Sequence, residues 1–267
     1  MPATLARLIS VAKGELPADL LLANAEVVNV FTGEIEPGNV AICGERIAGV
    51  GDYQEGKQVL DLGGKYIAPG LINGHIHPES SMLDIGQYAR AVVPHGTTTL
   101  VTDLHEIANI RGLEGIRYVL NCTRRLPFNL FLMAPSCVPA TRLETSGASL
   151  GAEDIRQVLG WKDCIGLGEV MNFPGVIGGD EEVLKKISLA RRKIIDGHAP
   201  GLAGKNLSAY IAAGIYSDHE SVSLDEAKEK LRQGMFIMIR EGSSEKNLDA
   251  LLPLVTDKTY KRCLFCR

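Results

Sequence analysis

The chain has no apolar stretch approaching 18 residues, which excludes a helical membrane span. It has no basic footprint either. Lys and Arg total 28 against 32 Asp and Glu, the net charge is −4, and the cations are scattered through helix-like segments, so nucleic acid is excluded as a partner. Low-complexity tracts and long linkers are absent. Six cysteines stand at uneven spacings with no secretory signal ahead of them, which argues against a disulfide framework and for thiols in a reducing compartment, the cytoplasm being expected. The opening "MPATLARLISVAKGEL" lacks the long apolar core and small-residue cleavage site of a leader. Its Leu5, Leu8, Ile9 and Ala12 recur at helical spacing, predicting a packed amphipathic helix.

At 267 residues, 45% of them hydrophobic and 22% charged, there is room for one α/β barrel of about 250 residues with a small extra module. Residues 1–66 fit the module. From Asp19 to Tyr66 short β runs alternate with Gly-containing turns, as in "LLLANAEVVNV", "NVAICGERIAGVG" and "QVLDLGGKYIAPG". Residues 67–267 fit a (β/α)8 TIM-like barrel. Apolar runs at Ile67–Ile72, Thr98–Asp103, Phe128–Ala134, Cys164–Glu169, Lys193–Asp196, Gly214–Asp218, Met235–Arg240 and Arg262–Cys266 alternate with helical segments. Those segments include "DIGQYARAVV", "AEDIRQVLGW", "DEEVLKKISLARR" and "SLDEAKEKLRQG", the last opening with Ser223 and Glu226 as a capping box. The eighth run stops at Arg267, so an exposed flank is expected there.

In such a barrel the chemistry lies at the C-terminal ends of the strands. Strand one leads to His75 and His77, and alternation along an extended chain puts both on one face with Ile76 turned away. Strand two ends at Asp103 and His105, strand four at Glu169, strand five at His198, and strand six at Asp218, His219 and Glu220. Five of the six histidines thus fall at strand ends; His95, in "VVPHGTTT", reads as a turn residue. A lone histidine in such a place is ordinarily a hydrogen-bonded structural residue. His-x-His followed by Glu169, His198 and His219 on successive strands is poorly explained by packing, and imidazole with carboxylate suits Zn, Mn or Fe. A bridging carboxylate between two ions makes a binuclear site the expectation.

"HPE" at His77–Glu79 and "CLFC" at Cys263–Cys266 imitate the H-x-E and C-x-x-C of zinc nucleobase deaminases. They stand too far apart, no Pro precedes Cys263, and barrel-like chain intervenes. Both cysteines therefore read as strand residues.

The segments "PGLINGHIHPESSM", "GLGEVMNFPGVI", "IIDGHAPGL", "AAGIYSDHESV" and "MIREGS" resemble, in order, blocks of the bacterial Ade-type adenine deaminases of the amidohydrolase superfamily. Related hydantoinases and dihydroorotases usually carry a carboxylated lysine where this chain has Glu169. The resemblance implies an amidohydrolase-type barrel and hydrolytic deamination of adenine to hypoxanthine and ammonia, with a metal-bound hydroxide attacking C6. It places metal ligands at His75, His77, Glu169, His198 and His219, with manganese first and iron or zinc as alternatives. Glu79 and His105 would hold substrate or orient the ligands. The family's proton-carrying Asp, at the end of strand eight, would lie beyond Arg267, as would the C-terminal part that completes the small β module. Little activity is therefore expected of these 267 residues by themselves. A catalytically silent metal-binding scaffold and a hydrolase acting on another cyclic amidine or amide stay open as alternatives, and homo-oligomerisation is compatible with all three.

Overall fold

The computed structural model describes residues 4–266. The chain divides into two compact units, one reaching to Gly70 and the other starting at Leu71.

The first unit comprises α1 (Leu5–Ala12), β1 (Ala18–Val28), β2 (Ile35–Cys43), β3 (Arg46–Gly51), β4 (Gly56–Asp61) and β5 (Tyr66–Ile67). Its sheet has the order β3-β2-β1-β4, with β5 also on β1; β1 runs antiparallel to β2 and parallel to β4 and β5. Ala18, Leu21, Ala41, Cys43 and Val11 form its core. The N-terminal helix is present, capped by Thr4, but it turns a different face inward from the one its spacing suggested. Val11 is buried and Leu8 packs beside it, whereas Leu5 and Ile9 are exposed. Two turns of helix meet the sheet along one narrow stripe, so only part of the apolar arc finds cover.

The second unit carries eight parallel strands. In chain order its elements are β6 (Leu71–Asn73), α2 (Ile85–Val92), β7 (Thr97–Thr102), α3 (His105–Thr123), β8 (Asn129–Pro135), α4 (Ala152–Leu159), β9 (Cys164–Val170), α5 (Phe173–Gly178), α6 (Glu181–Leu189), β10 (Ile194–Gly197), α7 (Gly204–Ala212), β11 (Ser217–Asp218), α8 (Leu224–Arg232), β12 (Phe236–Arg240), α9 (Leu248–Leu251) and β13 (Cys263–Cys266). Each strand pairs with its successor in an arc β6 to β10 and a second arc β11 to β13. Among the described residues no ladder joins β10 to β11 or β13 to β6, but both junctions are close. A methyl on Gly197 would stand 2.4 Å from the Ser217 carbonyl oxygen, and one on Gly74 would touch Leu264 at 3.7 Å. This is the expected β/α barrel, drawn as two arcs. Its main core lies between strands and helices, with Leu104, Ile116, Leu132, Leu167, Ile195 and Ile237 fully or nearly fully buried.

All eight apolar runs became strands, with one shift that matters. The first run does not form one strand: Ile67 pairs with Val27 of β1, and after Pro69 and Gly70 the barrel strand spans only Leu71–Asn73. Proline removes a ladder donor and restrains the residue before it, so the run is cut in two. The exposed flank is observed: Leu71, Ile72, Leu264 and Phe265 are between 40% and 64% exposed. Helices α2, α4, α6 and α8 fall in the segments that the sequence marked. The capping box of α8 forms only by half. Ser223 accepts from the Glu226 N–H, while the Glu226 carboxylate turns to the Gly201 N–H and to Lys230.

That diversion belongs to a buried ion network. The Lys230 ammonium, fully buried on α8, donates to Asp218 Oδ2 at 2.8 Å, Glu226 Oε1 at 2.7 Å and the Ala199 carbonyl at 2.7 Å. Burial raises the cost of the Asp218 charge, and Lys230 nevertheless holds its pKa below the ordinary carboxylate range. Lys230→Met would leave the Asp218 charge in the interior without its cation. We expect a loss of about 3–5 kcal/mol in unfolding free energy, read from urea denaturation at pH 7; a loss below about 1 kcal/mol would show that the network supports little.

Candidate metal centre

The backbone delivers the polar side chains to one end of the strands because each apolar run stops just short of them. His75 and His77 follow β6, Asp103 and His105 follow β7, Glu169 ends β9, Asp196 lies at the end of β10 with His198 just after it, and Asp218 ends β11 ahead of His219 and Glu220. His75, Asp103, Glu169, Asp196 and His219 are all buried.

Glu169 occupies the middle. Its Oε1 lies 3.5 Å from His77 Nε2 and 3.4 Å from His105 Nδ1, and its Oε2 lies 2.7 Å from His219 Nε2 and 4.0 Å from His75 Nε2. The Nε2 atoms of His75 and His77 are 3.1 Å apart. The His219 ring stacks on His75 with centroids 3.9 Å apart, and Glu220 Oε1 stands 3.6 Å from the Nε2 atoms of both His198 and His219.

Around these groups stand carboxylates that aim the rings. His75 Nδ1–H donates to Asp196 Oδ2 at 2.9 Å, leaving Nε2 turned toward His77 Nε2. Asp196 is itself held by Ser217 Oγ at 2.5 Å and by the Gly197 N–H at 3.0 Å. Asp103 accepts from His105 Nδ1 at 3.0 Å and from the Glu169 N–H at 2.8 Å, and its other oxygen faces His77 Nδ1 at 3.2 Å.

Burial works against every charge in this nest, yet mutual attraction prevails at most of them. Glu169 and Asp103 are held well below the ordinary carboxylate range by the neighbouring imidazoles. Burial opposes protonation of His77, but Asp103 and Glu169 push it up to about 10; Glu169 similarly pushes His219 up to about 9 against its burial. His75 goes the other way, lowered by burial and by the nearby His219. The carboxylates therefore lean on imidazolium protons for compensation, a place that a divalent cation can take over.

Two further observations fit the cluster to such ions. Glu169 Oε2 and the Nδ1 atoms of His198 and His219 are buried without hydrogen-bond partners, Oε2 being close to His219 but off the hydrogen-bond direction. The 3.1 Å between His75 and His77 is also about the separation of two ligands on one ion with metal–nitrogen bonds of about 2.0–2.1 Å. His75, His77 and Glu169 form one group whose ligand atoms lie within 4.8 Å of one another, and Glu169, His198 and His219 form another. Glu169 is common to both.

A parallel β/α barrel with imidazoles and carboxylates gathered at its C-terminal strand ends defines a class of proteins suited to holding divalent ions. The chain belongs to the amidohydrolase family, whose model matches residues 66–255. It is 65% identical, over 99% of its length, to an adenine deaminase of Dehalococcoides mccartyi, and 53% identical to an adenine deaminase of Kosmotoga olearia over 97% of its length. It covers 46% and 45% of those two proteins, so the chain spans about half the length of the curated relatives it matches. Among solved structures, the fold is similar to a beta-aspartyl dipeptidase from Fervidobacterium islandicum, with TM-score 0.63 and 15% identity over 92% of this chain and 72% of that one. It is also similar to the N-acetyl-D-glucosamine-6-phosphate deacetylase of Mycobacterium smegmatis, with TM-score 0.57 and 18% identity over 92% and 76%.

All five residues expected to act as ligands meet in this nest, and His105 joins them through Asp103. Glu79 lies beside it: Oε1 is 3.5 Å from the Ile107 N–H, Oε2 is buried without a partner, and burial raises the carboxyl pKa. His95 sits in a short 3-10 turn before β7, away from the strand ends that carry chemistry. Cys263 and Cys266 are strand residues of β13, and all six cysteines are free thiols. Among the residues that sequence reasoning passed over is Asp196, the partner of His75. Asp196 could have been found two positions before His198, as the first polar residue after "KII" in "KIIDGH".

Metal binding at this nest has to expel the protons on His77 and His219. Titration of the metal-free chain with Mn²⁺ at pH 7 should therefore release about two protons. Because both rings lose those protons unaided at higher pH, the release should decline as pH passes about 9 and then about 10. Potentiometric titration checks this, and binding with no proton release at pH 7 would contradict the arrangement.

Proposed function

We propose that the chain supplies the metal centre and substrate pocket of an adenine deaminase, with His75, His77, Glu169, His198 and His219 as ligands to a pair of divalent ions shared through Glu169. The observation that carries this reading is the bridging placement of Glu169 between two imidazole groups, in a chain whose relatives named adenine deaminase share 50–65% of its residues. Imidazole and carboxylate donors suit manganese first, with iron or zinc as alternatives. When bound, such ions lower the pKa of water toward neutrality, which is the chemistry hydrolysis of a ring C–N bond needs at pH 7.

The rest is the work of side chains. The nest opens into a cavity of about 410 Å³ lined by the ligands together with Ser80, Leu83, Tyr88, Met171, Glu220 and Arg240. That is within the usual range of small-ligand pockets and ample for one purine. Leu83 and Tyr88 offer apolar surface to a flat ring. Arg240 grips Glu220 with both terminal nitrogens, fixing a carboxylate beside His198 and His219 where it can accept from a ring N–H. His105 steadies His77 through Asp103, and Glu79, raised by burial, is suited to donate to a ring nitrogen. Departure of ammonia requires a proton delivered to the exocyclic amine. β13 ends at Cys266, whose thiol is pushed up to about 12 by burial and by Asp196, with Arg240 opposing and Glu220 and Asp218 adding to the rise.

Among the described residues no helix is long and apolar enough to cross a membrane. A cytoplasmic purine-metabolising role fits the free thiols.

The test is ammonia release from adenine by this chain joined to the remaining C-terminal portion of the Dehalococcoides mccartyi relative, supplied in turn with Mn²⁺, Fe²⁺ and Zn²⁺. We expect metal-dependent turnover, and a fall of about a hundredfold or more in kcat/KM for Glu169→Gln. Hydrolysis of other cyclic amides but not of adenine would overturn the substrate assignment. Tight metal binding without any turnover would favour a scaffold.

A further inference from the structure

Tyr210 lies on α7, between His198 and His219 in sequence, and is fully buried. Its hydroxyl makes two hydrogen bonds. It donates to the Val170 carbonyl at 2.7 Å and accepts from the His198 N–H at 3.0 Å. Val170 directly follows Glu169, so this single oxygen joins the backbones that carry the shared carboxylate and the His198 imidazole.

The position is built for it. The parallel ladder between β9 and β10 pairs Ile194 with Gly166 and Ile195 with Leu167, then slips so that Gly197 faces Val170. The residue after Gly197 is His198, whose N–H would be the next donor of the ladder and goes to the phenol instead. Gly197 leaves the necessary space: a methyl there would stand 2.9 Å from the Tyr210 oxygen and 2.4 Å from the Ser217 carbonyl.

We infer that Tyr210 is a positioning residue for one of the two ions, its hydroxyl setting the separation of Glu169 and His198 and so the geometry of the Glu169, His198, His219 group. This rests on the reading of the nest as a metal centre. The His75, His77, Glu169 group gets only Glu169 from the strand ends that Tyr210 joins, so the two ions should respond unequally. Without the hydroxyl the aromatic ring still fills its place, but the Val170 carbonyl and the His198 N–H lose their shared partner.

The experiment is equilibrium titration of the 267-residue chain with Mn²⁺, free ion being followed by electron paramagnetic resonance, for the wild type, Tyr210→Phe and Leu207→Ala. Leu207 is fully buried on the same helix and serves as a control for general destabilisation. For Tyr210→Phe we expect one of two binding steps to weaken about 10–100-fold and the other to stay near the wild-type value, with Leu207→Ala altering neither selectively. Unchanged affinity at both steps, or equal weakening at both matching Leu207→Ala, would overturn the assignment. A wild-type chain that binds no ion would instead overturn the metal reading beneath it. A second measurement needs no variant. By reciprocity, loading wild-type protein with Mn²⁺ should increase hydrogen-exchange protection of the His198 amide, and unchanged protection there would count against Tyr210 whatever the variant's folding.

Discussion

The structure turns on a buried glutamate whose nearest opposite charges, among the described residues, are protonated imidazoles. Glu169 is 2% exposed, and a carboxylate removed from water at that depth persists only where other groups compensate it. His77, His105 and His219 do so from three directions, each brought by a different strand end. A divalent cation could take the place of those protons.

Around that charge the barrel spends buried polar groups on orientation. Asp196 aims His75, Asp103 aims His77 and His105 while catching the Glu169 amide, and Ser136 Oγ donates to the Glu169 carbonyl at 2.6 Å. Lys230 secures Asp218 next to His219, and Tyr210 ties Val170 to His198. Each restraint comes from a neighbouring strand or from a helix behind the sheet. The geometry of the nest is therefore a property of the whole β/α wall and not of the loops alone.

Strand positions were legible because a strand covered by helices on one side and core on the other must be apolar nearly throughout, and such runs stand out. The grouping of the candidate ligands was legible for a related reason: His75, His77, Glu169, His198 and His219 interrupt apolar chain at the end where strands deliver side chains to a shared mouth. Where apolar identity alone was the guide, the reading was less exact. Leu5 and Ile9 look as suited to a core as Leu8 and Val11, and only the short contact of α1 with its sheet separates them. Ile67 belongs to the small sheet because Pro69 and Gly70 break the run. Glu226 left its own helix cap because a buried ammonium competed for it.

By itself the sequence determined the alternation of strands and helices, the end of the barrel that carries chemistry, and the residue types able to hold an ion, since these follow from hydrophobic periodicity and from the donor atoms of His and Glu. Tertiary structure alone decided which carboxylates aim which imidazoles, that one glutamate faces both groups, and that a tyrosine on α7 stands between two strand ends. Apart from the local Asp103–His105 pair, those contacts join residues from 12 to more than a hundred positions apart. Hydrogen-bond partnership at such separation is set by sheet register and helix packing, which no local pattern encodes.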